Sequence, residues 1–155
     1  MMDNKDFISG FDEVVADADN EAPLKTEVDT AMRLKRPAYF EWEIKGRAYK
    51  LKLTSDVIVK LEQKFKRNLI TVLTDDGLPP LSTMLTVVQA SMQMYQHGIT
   101  YYSVQQLYDA YVEDGGDQLG LLSNVIMPLM SVSGFFTETQ AKMIREELKT
   151  LDMNL

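Results

Sequence analysis

From Gly77 to Thr100 the chain reads GLPPLSTMLTVVQASMQMYQHGIT, without one Lys, Arg, Asp or Glu. Leu81, Met84, Leu85, Val88, Met92 and Tyr95 recur at steps of three, four and seven, which marks one face of an α-helix. Pro79 and Pro80 suit its first turn and Gly98 its exit, so the pattern predicts a helix over about 81–97. The opposite face, Thr83, Thr86, Val87, Gln89, Ala90, Ser91, Gln93 and Met94, is uncharged as well. A surface helix normally carries charge there. This helix is therefore expected either at the centre of the fold or under another chain. Thr83, Val87, Ala90 and Met94 form the candidate partner-binding stripe; a second core face is the alternative reading.

The charges outside this stretch fall in blocks. Residues 1–30 hold nine acids and two lysines, residues 31–67 eleven bases and four acids, and residues 68–141 seven acids and no Lys or Arg. Such polarity steers association or self-association. The acidic arm 1–36 is expected to be loosely ordered. Within it Phe7, Ile8, Phe11, Val14 and Val15 lie at helical spacing and form a possible docking segment. From residue 37 to 155 one globular domain is expected; a chain of 155 residues suffices for a real core.

AYFEWEIKGRAYKLKL (38–53) alternates as a β-hairpin does. A turn at Lys45-Gly46 pairs Ile44 with Arg47, Trp42 with Tyr49 and Phe40 with Leu51, and sets Glu41 opposite Lys50. A hairpin alone is marginal, so its apolar face should rest on helices. Thr54 opens a helix over about 55–67, with Val57, Ile58, Leu61 and Phe65 inward, and Leu69 to Leu73 add a turn or two. After the central helix, Ser103 with Gln106 reads as a capping box for a helix burying Val104, Leu107, Tyr108, Tyr111 and Val112. Asp117 caps a helix over about 118–133 that Pro128 should kink or divide. Thr137 with Gln140 starts a last helix with Ala141, Ile144, Leu148 and Leu151 inward. The fold class expected is α+β, mostly α: an N-terminal β-hairpin packed on a bundle of four to six helices.

The residues offer little chemistry. There is no cysteine and a single histidine, His97, so no thiolate site, Cys nucleophile or His pair can form. Asp114-Gly-Gly-Asp117 lacks the remaining ligands of a calcium loop, and Asp75-Asp76 reads as a solvated turn. No phosphate loop, dinucleotide fingerprint or hydrolase motif is present. No catalytic, cofactor or metal residues are assigned, and an enzyme is not expected. The basic block from Arg33 to Arg67 interleaves with Tyr39, Phe40, Trp42 and Tyr49, as a nucleic-acid surface would. A shared strand face explains those aromatics better as core, and the net charge is −7. Neither nucleic acid nor membrane is expected as a partner, and MMDNKDF is not expected to act as a signal peptide. The ten methionines suit either a helical core or an adaptable contact surface.

YKLKLTSDVIVKLEQKFKRNLITVL (49–73), LPPLSTMLTVVQASMQMYQHGIT (78–100), YDAYVEDGG (108–116) and SGFF (133–136) resemble, in order and spacing, the tail assembly chaperones of long non-contractile-tailed phages and prophages of Gram-positive bacteria. The resemblance covers about residues 38–150 and leaves out the acidic arm. It implies a non-enzymatic, oligomeric protein of the bacterial host cytoplasm. Such a protein binds the tape measure protein, helps recruit tail-tube subunits and leaves the finished tail. It also implies that this chain is the short form of a pair whose longer member arises by frameshifting. A structural tail-completion or connector protein and a small nucleic-acid-binding regulator are the alternatives.

Overall fold

The structure, a computed structural model, describes residues 35–153. The unit from Arg36 to Leu155 carries every element below. The candidate docking segment Phe7, Ile8, Phe11, Val14 and Val15 lies outside the described residues.

Strands β1 (Phe40–Ile44) and β2 (Arg47–Leu51) form an antiparallel hairpin. Its register is the one expected: Phe40 faces Leu51, Glu41 faces Lys50, Trp42 faces Tyr49 and Ile44 faces Arg47. The turn residues Lys45 and Gly46 have φ of 50° and 80°, the left-handed pair that matches strand twist in a tight hairpin. Alternation then separates the faces: Trp42, Ile44 and Leu51 are buried, while Glu41 and Glu43 are exposed.

Six helical stretches follow, counting 118–132 as one. They are α1 (Ser55–Phe65), α2 (Leu69–Thr74), α3 (Leu81–Met92), α4 (Tyr101–Glu113), a stretch made of α5 (Gln118–Gly120), a π-helical segment (Leu121–Ile126) and α6 (Met127–Val132), and α7 (Glu138–Met153). The architecture is α+β, mostly α, with the hairpin packed on α3, α4 and α6. Leu51, Leu69, Met84, Leu85, Val88, Met92, Leu122, Ile126 and Met130 meet in one core.

Local chemistry sets the boundaries, and several differ from those the sequence suggests. Helix α1 stops at Phe65 because Lys66 turns left-handed at φ 57°. The Glu62 carboxylate then accepts the Leu69 N–H at 2.8 Å, satisfying the start of α2. Helix α3 ends at Met92, short of residue 97, so His97 is an exposed turn residue rather than the end of the helix. Helix α4 begins three residues earlier than a Ser103 cap would place it. Thr100 is the cap, its hydroxyl accepting the Ser103 N–H at 3.1 Å. Val112, expected inward, is exposed. The stretch 118–132 does not break at Pro128. It widens before it, the Met127 N–H reaching back five residues to the Leu122 carbonyl. A wider turn accommodates the missing N–H and the bulk of the proline ring without ending the helix. The Thr137–Gln140 capping box forms in both directions, at 3.0 and 3.2 Å. Ala141 and Ile144 pack inward; the Leu148 and Leu151 side chains lie outside the described set.

The hairpin is held to α3 by backbone-like bonding. With its amide oriented so that the oxygen meets the Lys50 N–H, as the surrounding donors and acceptors require, the Gln96 side chain donates to the Lys50 carbonyl at 3.0 Å and accepts the Lys50 N–H at 3.1 Å. It thus stands in for a neighbouring strand. One step on, the Lys52 N–H donates to the Ser91 carbonyl at 2.9 Å. The Lys50 ammonium lies over the rings of Tyr39 and Tyr95, 4.7 and 5.7 Å from their centroids. Gln96→Ala strips Lys50 of both backbone partners and is expected to cost about 1–3 kcal/mol, read as a lowered denaturation midpoint.

At the far end of α4 the Tyr111 ring lies so close to Gly116 that any Cβ there would overlap it. Burial pushes the Tyr111 phenol above its ordinary pKa, and the Asp117 charge adds to the effect. Gly116→Ala is expected to displace the ring and cost about 1–3 kcal/mol. Its loss should be less than additive with Tyr111→Ala in a double-variant denaturation series.

Candidate functional site

The four stripe residues do not share one surface. Val87 is 0% exposed and belongs to the core, which corrects its assignment to a contact face. Its side of α3 is covered by this chain's own elements, so no charge is needed there. Thr83 and Ala90 are half-buried, and Met94, in the turn after α3, is 51% exposed. Ala90 and Met94 do come together with other residues. They line a groove of about 620 Å³ between α1 and α3, with Val57, Leu61, Thr86 and Gln89. Lys60 and Lys64 stand on its α1 side. Lys60 is tied to Asp56 at 3.0 Å, whereas Lys64 has no ion-pair partner among the described residues.

A second groove, of about 540 Å³, is more apolar. Leu73, Leu122 and Met127 form its buried floor, and Ile70, Leu78 and Ile144 rise around them. Ile70 and Leu78 are exposed, and Glu147 is the one charged lining residue among the described residues. The groove joins α2, the Gly77–Leu78 turn, the 118–132 stretch and α7. These are far apart in sequence, so no single periodic pattern announces it. The available clue was an apolar residue, Leu78, standing in a turn after Asp75-Asp76-Gly77.

Several charged side chains make structural contacts. The Lys45 ammonium is raised above its ordinary value chiefly by its hydrogen bond to Glu113, while the Lys45 N–H donates to the Asp114 carboxylate at 3.0 Å. Arg67 bridges Asp75 and Asp76 at 3.2 and 3.6 Å, closing the turn before α3. Asp117 accepts the Gly120 N–H as a helix cap. Among the described residues no three His, Cys, Asp or Glu side chains converge as metal ligands would, and no helix is long and apolar enough to cross a membrane.

What these elements define is a hairpin-and-helix domain with open grooves between its helices. Residues 43–155 match a family of unknown function (DUF6096), and the chain belongs to that family. No curated protein matches the chain, and no solved structure does.

Val87→Asp is expected to unfold the protein, because its carboxylate would be buried without a partner. Met94→Asp should leave stability within about 0.5 kcal/mol. Circular dichroism during thermal unfolding separates the two.

Proposed function

We propose that the protein is a phage tail assembly chaperone. In this reading it is not an enzyme. It works in the bacterial host cytoplasm, binds the tape measure protein, helps recruit tail-tube subunits, self-associates, and is left out of the mature virion. The observation that carries the reading is the apolar groove between α2 and α7, together with the resemblance of residues 38–150 to that family. A long helical client with exposed apolar residues needs a receptor that takes side chains at helical spacing without demanding a particular charge. A groove with Leu and Met on its floor and exposed Ile70 and Leu78 at its margins meets that requirement. The α1–α3 groove, with Ala90 and Met94, is the second contact candidate. Repeated weak binding along one client gains from self-association of the chaperone.

The test is co-expression with the tape measure protein of the same phage. The expected outcome is a soluble complex that co-purifies. Leu78→Glu is expected to lower capture at least about tenfold while leaving the chaperone folded, because a charge would be desolvated in the groove. Met94→Glu reports on the α1–α3 groove in the same assay. Full capture by both variants would remove the grooves from the reading, and failure to form any complex would remove the function itself.

A further inference from the structure

The two edges of the hairpin differ. Lys50 uses its outward N–H and C=O to bond Gln96, and Lys52 uses its N–H to bond Ser91. Helix α3 and the turn after it thus cover the outer edge of β2. In an antiparallel pair, residues that face each other point their backbone groups the same way relative to the ladder. Glu41 faces Lys50 and Glu43 faces Ala48, so the N–H and C=O groups of Glu41 and Glu43 point out from the free side of β1. No backbone or side-chain group among the described residues bonds them. Both residues are exposed, so no described residue covers this edge.

The geometry points to β1 as a docking edge, and we propose that it accepts an extended, basic segment of another protein as a third strand. An open ladder recognises extended backbone, and the side chains beside it select the sequence. On β1 those side chains are Glu41 and Glu43, and neither takes part in an ion pair among the described residues. A second copy is a poor occupant: antiparallel pairing of β1 with itself sets glutamate against glutamate, and like charges across a ladder oppose pairing. A strand with Lys or Arg at alternate positions and β-branched residues between them gains both the backbone bonds and the opposite charges. This site is separate from the grooves and does not rest on the chaperone reading.

The probe is a short acetylated and amidated peptide alternating lysine with threonine and valine, compared with the same peptide carrying glutamate for lysine. Amide exchange and chemical shifts of the full chain are followed by NMR. The lysine peptide is expected to slow exchange at the Glu41 and Glu43 amides and to leave the Trp42 amide, already bonded within the hairpin, unchanged. The glutamate peptide should do neither. Glu43→Pro removes an outward N–H without touching the β1–β2 ladder and is expected to weaken lysine-peptide binding by about tenfold or more. Glu41→Lys combined with Glu43→Lys keeps the backbone intact and should reverse the preference between the two peptides. The proposal is overturned if the Glu41 and Glu43 amides are not protected, if both peptides bind alike, or if the charge-reversed protein keeps the original preference.

Discussion

The clasp between α3 and β2 is the constraint on which the rest depends. Two strands cannot sustain themselves in water, and burying an unbonded strand edge against a helix would cost the full desolvation of its amides. The chain solves both problems at once. Ending α3 at Met92 frees the next few residues to turn, which brings Gln96 level with Lys50. The Gln89 and Gln93 side chains bond the Ile99 carbonyl from the other side, at 3.2 and 2.9 Å, and so fix the path into α4. A central helix without charge can then lie against the hairpin, α1, α4 and the π-helical segment.

Much of this was legible because local signals and burial agree. The hairpin register follows from alternation plus the Lys45-Gly46 turn, and opposite charges on Glu41 and Lys50 point the same way. Caps at Asp117 and Thr137 could be read because each spends a side chain on a nearby amide. The errors have a common origin. Extending α3 to residue 97 treated Tyr95 as one more apolar turn, whereas its ring belongs to a contact with Tyr39, 5.5 Å between centroids. Assigning Val87 to an outer face assumed that a helix has one buried side. A helix at the centre has several, and Val87 shares full burial with Val88 and Met84. Of the candidate site, Ala90 and Met94 were legible as uncharged residues near a surface. The α2–α7 groove was not, because packing distant elements together creates it.

Charge is arranged so that the two grooves differ in kind. The α1–α3 groove borders on the lysines of α1, while the α2–α7 groove draws its walls mainly from the part of the chain that contains no Lys or Arg. Apolar contact is common to both, so any helix could gain from either by burial. Lys64 gives the first groove a positive charge at its edge and Glu147 gives the second a negative one, and both fields are screened by salt.

The widened turn before Pro128 has a consequence for how this stretch serves its neighbours. One additional residue in a helical turn rotates everything after it by about 100°. The π-helical segment, with Leu121, Val125 and Ile126 buried, packs against α3; α6 after it, with Leu129 and Met130 buried, packs against β1 and α7, while Leu122 and Met127 share the floor of the α2–α7 groove. A helix of constant pitch has one seam, and this one changes seams midway. The π-helical segment therefore works as a phase adjuster, letting a single rod close two sides of the same core that a regular helix would have to close one at a time.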